Sequence, residues 1–228
     1  MTTMTLNDLA ADLRGLGLAA GREPELPAGP PPGEVLDRWA RAAALGGPPL
    51  REAAIWAIRE AARASGLHAA SIHKLYLARG RGEWGGRTVP AMNLRGWSYQ
   101  TCRAAFRAAR RRDAGLLIFE QAPAEAAYAQ QRPAEYAAAV LAAGMREGHR
   151  GPVFLQADHV QVSAARYAQG PAAETARMAG LIRDYVAAGF HNIDLDASTV
   201  VDLTLPTLVE QQRLNAELTA RFTRTVRE

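Results

Sequence analysis

An acid and an imidazole stand side by side at the end of an apolar run in Val153-Phe154-Leu155-Gln156-Ala157-Asp158-His159. A carboxylate can hold or move a proton, and an imidazole can ligate a metal through one ring nitrogen. A second run of the same design follows at Ile193-Asp194-Leu195-Asp196-Ala197-Ser198, opened by Gly189-Phe190. Both read as buried strands that aim carboxylates at one rim. Parallel sheets and barrels bind ligands at the carboxyl ends of their strands, which favours an active site over a structural ion pair.

Neighbours on a regular strand face opposite sides, so Asp158 and His159 can enter one site only if the strand ends there. The polar residues that follow fit such an ending. The other use of the pair is a hydrogen-bonded cap on the strand. Asp194 and Asp196 lie two apart and share a face, so a cation, a substrate group or solvent must offset their charge. Asp196, nearer the end, is the preferred ligand, and Asp194 a structural or supporting acid. Asn93 ends Val89-Pro90-Ala91-Met92 and offers its amide to a substrate hydroxyl, or else serves an Asx turn or helix N-cap. Glu120 and Gln121 are either rim contacts or exposed turn residues. His68, His73, His149 and His191 lack a partner at metal-ligand spacing and read as structural.

The elements that must position these residues follow from periodicity. Leu6, Leu9, Leu13 and Leu16 lie on one face of a helix over residues 1 to about 20, and Pro24 to Gly33 is a proline-rich linker. Further helices are expected over 34–45, over 49–65 through Ile55, Ile58 and Ala62, and from Ser71 through Ile72, Leu75 and Tyr76 until Gly80 and Gly82. From Thr88 short apolar runs alternate with helical patterns, the signal of βαβ units. Strands are expected near 88–93, 115–120, 152–158 and 192–197, with helices near 98–112, 133–147, 171–188 and 206–226. Pro133, Pro171 and Pro206 suit first-turn positions and Gly189 a helix stop. Eight such units occupy about 250 residues in a full barrel, so four fit here. The expected fold is α/β, a helical extension over 1–70 followed by the first half of a (β/α)8 TIM barrel over 71–228. An open half barrel exposes edges and apolar surface, which calls for a C-terminal half, a partner chain or a homo-oligomer.

Composition excludes several classes. A 48% hydrophobic content over this length supports a sizeable core rather than disorder. The 27 basic and 23 acidic residues leave a charge of only +4, and Arg110-Arg111-Arg112 sits at an expected helix end with no interleaved aromatics. That is a solvated helix terminus, and no nucleic-acid partner is expected; an arginine-rich RNA-binding protein would show steeply salt-dependent affinity. Cys102 is the single cysteine, which rules out an internal disulfide and a cysteine-rich zinc module and fits a reducing cytoplasm. Asp8 and Asp12 interrupt the one candidate leader, and no apolar run reaches the roughly 18 residues of a membrane span.

With these residues assembled, the chain resembles the class II, metal-dependent fructose-bisphosphate aldolases, especially a longer bacterial branch with a helical N-terminal extension. The resembling segments are Thr88-Val89-Pro90-Ala91-Met92-Asn93, Gln156-Ala157-Asp158-His159 and Gly189 to Ser198, in the family's order and spacing. The resemblance implies that Asp158 transfers the proton, His159 ligates catalytic zinc, Asp196 lies at a second cation position and Asn93 approaches a phosphorylated ketose. Ala122 falls where the family often has a substrate-contacting serine. The family's later glutamate, two further histidine ligands and glycine-rich phosphate loops have no counterpart in these 228 residues. The implied reaction is reversible aldol cleavage of a ketose bisphosphate without a Schiff-base lysine, and Lys74, the single lysine, is expected on a helix away from the strand ends. The chain is thus expected to be either the N-terminal portion of such an enzyme, inactive alone, or a non-catalytic aldolase-like subunit that supports a partner barrel.

Overall fold

A computed structural model describes residues 4–18 and 29–228. The first half of the proline-rich linker therefore lies outside the described residues, as do both ends of the expected first helix. The helices are α1 (Leu6–Gly15), α2 (Gly33–Leu45), α3 (Pro48–Ala64), α4 (His73–Gly80), α5 (Ser98–Arg111), α6 (Pro123–Tyr128), α7 (Pro133–Arg146), α8 (Ala164–Gln169), α9 (Pro171–Ala187) and α10 (Leu208–Arg227). The strands are β1 (Leu67–Ala69), β2 (Ala91–Asn93), β3 (Ile118–Gln121), β4 (Gly151–Gln161) and β5 (Asn192–Asp196), and every pairing is parallel. The class is α/β.

Pro133 and Pro171 open α7 and α9 at first-turn positions, where a missing N–H costs little. Pro206 does not: Thr207 is the N-cap of α10, its hydroxyl accepting from the Glu210 amide in a capping box. Gly189 takes φ 91° just after α9 and turns the chain into β5. Gly144 has a different reason, since a Cβ there would lie 2.9 Å from Leu67 Cδ2 and 3.2 Å from Phe106 Cζ. Its bare backbone lets α7 sit directly against β1 and α5.

One continuous core joins Trp39 of α2 and Ile58 of α3 to Tyr136 and Val140 of α7, and these to Phe119, Val153, Leu155 and Ala157 of the sheet. On the other sheet face only a small cluster forms, Ile118 and Phe154 under Ile72, with Leu75 and Val89 beside it. Two residues on towards the carboxyl ends, the same face carries Asn93, Glu120 and Gln156. No helix among the described residues is long and apolar enough to cross a membrane.

β2, β3, β4 and β5 lie side by side in chain order. β1, which periodicity does not announce, shares one edge of β4 with β5: Leu67–Ala69 pair with Gly151–Val153, and β5 joins from Gln156 onward. Asn192 seals the junction. Its Nδ2 donates to Ala70 O at 3.1 Å and Leu155 O at 3.0 Å, and its Oδ1 accepts from the Ile72 amide at 2.8 Å. Alanine at 192 would strand three backbone groups, each worth roughly 1–3 kcal/mol when left unpaired. Asn192→Ala is expected to lower stability by roughly 2–4 kcal/mol in urea unfolding, with the helices retained.

Candidate functional site

The decisive local feature is a bulge in β4. Ala157 pairs with Ile193 and Val160 with Leu195, so β4 spends one residue more than β5 over this interval. His159 absorbs the extra residue in the left-handed region at φ 56°, which histidine tolerates better than β-branched residues do. The expectation that the strand ends at Asp158 is thus corrected: β4 runs on to Gln161. An irregularity inside the strand, not its end, breaks the alternation that would separate Asp158 from His159.

Two polar groupings form along this rim. In the first, Asn93 Nδ2 donates to Asp158 Oδ2 at 3.0 Å and to Glu125 Oε2 at 3.1 Å. Glu125 is buried at the start of α6, where it also accepts from the Ala122 amide at 3.0 Å and pairs with Arg95. Burial raises the Glu125 carboxyl, but the Ala122 amide, Asn93 and Arg95 outweigh it and hold the group below its ordinary value. Asn93 is neither an Asx turn nor a cap for α5, whose N-cap is Trp97; its amide bridges two carboxylates.

In the second grouping, His159 Nε2 lies 2.9 Å from Asp196 Oδ2, and Gln161 Nε2 lies 2.9 Å from the same ring nitrogen and 2.6 Å from the same oxygen. Asp194 accepts from the His159 amide at 3.2 Å, so this acid supports the bulge, in line with a structural role. Burial acts to raise the Asp196 carboxyl, yet the Ser198 hydroxyl, Gln161, the Ser198 amide and neighbouring His159 bring it down to about 2. A carboxyl lowered on folding adds stability above its unfolded pKa of about 3.9, and the gain is lost as pH falls towards 2. Asp196→Asn is therefore expected to flatten the acid limb of the stability profile between about pH 4 and 2, as read by thermal unfolding.

Glu120 accepts from Gln156 Nε2 at 2.6 Å. Desolvation, then the charges of Asp158, Asp194 and Glu125, push its carboxyl above the ordinary value. Gln121 is neither rim contact nor exposed turn: it is 3% exposed, and its Nε2 donates to Gln131 O at 3.0 Å. His149 is structural, with its ring 5.0 Å from Phe106. Lys74 is an exposed residue of α4.

Zinc at a catalytic site takes three protein ligands and leaves a fourth position open. His159 and Asp196 offer two donors of suitable type at one place. Among the described residues no group of three or more His, Cys, Asp or Glu side chains is arranged to hold a metal. The donors among the described residues therefore do not complete a zinc site.

Glu125, Arg95 and Gln161 were not singled out from the sequence. Glu125 carries a readable signal, because Pro123 at the first helical position puts it at the third, where a glutamate reaches back to the preceding backbone N–H. Ala122 in place of serine or threonine hides half of that pattern. Comparison with protein-family models, curated proteins and solved structures gives no match.

Proposed function

We propose that this chain supplies the first four βα units of an aldolase-type (β/α)8 barrel, and with them the proton-transfer carboxylate of a zinc-dependent ketose-bisphosphate aldolase. The carrying observation is that two side-chain pairs, Asn93–Asp158 and His159–Asp196, lie towards the carboxyl ends of three strands of one parallel sheet. The sequential order of β2 to β5 supports a singly wound barrel segment, since a doubly wound sheet reverses its order at the ligand crevice. The second sheet face carries only a small apolar cluster and is the face that a completed barrel would enclose. A parallel sheet is ordinarily covered on both faces.

In this reading Asp158 accepts the proton of the hydroxyl beside the breaking carbon–carbon bond. The oxygen's freed electron pair closes the new aldehyde carbonyl, and the pair of the broken bond passes to the ketose-derived fragment as an enediolate. The electrophile that stabilises this charge is not assembled by the donors among the described residues. A C-terminal barrel half or a partner chain must bring a glutamate and two histidines to the rim. The incomplete donor set also favours a second reading, a non-catalytic aldolase-like subunit supporting a partner barrel, which holds if the companion carries a whole site of its own.

The free outer edges of β2 and β5 among the described residues, with the uncovered face between them, lead to a prediction for the chain alone. It is expected to self-associate, to bind zinc weakly and to leave fructose 1,6-bisphosphate intact. Light scattering with zinc titration reads this out. A stable monomer that binds zinc tightly and cleaves the sugar contradicts the half-barrel reading.

A further inference from the structure

Behind the rim, between β3 and α7, lies a small cavity of about 10 Å³ lined by Leu94, Glu120, Gln121, Glu125, Gln131 and Tyr136 among others. Two polar atoms on its lining residues, Gln121 Oε1 and the Tyr136 hydroxyl, are buried and have no hydrogen-bond partner. Their residues are 3% and 1% exposed, so bulk solvent does not serve them. A buried polar group is costly to leave without a partner, and two such atoms on residues that line one small cavity call for a partner there.

The amide of Gln121 cannot simply be turned round. Its Nε2 donates to Gln131 O at 3.0 Å, and the reverse orientation would set oxygen against oxygen. Gln131 is partly engaged, accepting from Ser98 Oγ at 2.6 Å and donating one N–H to Glu135 at 3.1 Å, and it makes no hydrogen bond to Gln121 Oε1 or the Tyr136 hydroxyl. The Leu94 backbone acts to lower the Tyr136 hydroxyl, against the larger effect of burial, although the two make no hydrogen bond. The surroundings thus offer donors, the Tyr136 O–H and Leu94 N–H, beside acceptors, Gln121 Oε1 and the carboxylates of Glu120 and Glu125.

We propose that this cavity is a binding site for one ordered water, which accepts from Tyr136 or Leu94 and donates to Gln121 Oε1 and to the neighbouring carboxylates. The size is that of a single water, and three or four polar partners is the usual complement of a buried one. A cation would suit the acceptors but would meet the Leu94 N–H and the Arg95 guanidinium, which also lines the cavity. Water alone satisfies both signs. It buttresses the back of Glu125, the residue that holds Asn93 against Asp158, and this assignment does not depend on the aldolase reading.

The test is a high-resolution crystal structure of the chain, with a Tyr136→Phe variant. One density peak at roughly 2.7–3.2 Å from Tyr136 Oη and Gln121 Oε1 is expected in the parent. The peak should be lost or weakened in the variant. Should the variant fail to fold, the parent density decides alone, joined by a magnetisation-transfer cross-peak between the Leu94 amide and a long-lived water. A direct Tyr136–Gln121 hydrogen bond, a cavity without density, or a peak at cation-like distances of roughly 2.3–2.6 Å would overturn the proposal.

Discussion

Asp158→Ala in the closed barrel is expected to slow aldol cleavage roughly 10²- to 10⁴-fold, the usual worth of a positioned proton-transfer group, while bound metal stays at the parent level. Asp158 is half-buried, accepts from Asn93 and does not belong to the His159–Asp196 pair. Removing it takes away a proton acceptor without touching the proposed ligands. His159→Ala is expected to lose both metal and turnover. Because His159 holds the bulge at φ 56°, His159→Asn is the cleaner companion: asparagine accepts that backbone conformation, so the ring is lost while the bulge is kept. Metal content measured beside the cleavage rate separates the roles. If Asp158→Ala strips the metal and His159→Ala leaves it, the two are misassigned.

The second large effect concerns the helical extension. Trp39 is wholly buried, and its indole Nε1 donates to Asp12 Oδ2 at 3.0 Å, while Arg38 reaches Asp12 Oδ1 at 2.8 Å. The indole therefore fills the core beside α3 and also secures α1 through a polar contact. Trp39→Ala is expected to cost about 3–5 kcal/mol, from lost apolar burial and the cavity left behind. Trp39→Phe keeps most of the volume and should cost less than half of that, the remainder reporting the Asp12 hydrogen bond. Urea midpoints at unchanged m-value would measure both. Equal costs for the two variants would mean that the hydrogen bond, not packing, dominates.

The four later strands and their long helices were legible because apolar runs were bounded by glycine or proline and separated by strong helical periodicity. Cys102 and Phe106 on α5, with Met178, Ile182 and Tyr185 on α9, recur three or four residues apart and are buried. β1 was not legible: three residues carry no period, and the strand exists through pairing with Gly151–Val153 and the clamp of Asn192. The short helices α6 and α8 lack the length for a repeating face. At the site, residue types pointed to the rim, but the bulge did not show, since no glycine marks it and a histidine takes the unusual conformation. Glu125 and Gln161 act through contacts made across strands and loops, and sequence spacing does not encode those directly.

The most direct test of the central claim is a cleavage assay on fructose 1,6-bisphosphate with this chain joined to a C-terminal barrel half that supplies the glutamate and two histidines. The account predicts zinc-dependent release of dihydroxyacetone phosphate and glyceraldehyde 3-phosphate, lost on chelation and lost again in Asp158→Ala. A closed, zinc-loaded barrel that does not cleave the sugar, or one that cleaves it equally well without Asp158, would contradict it.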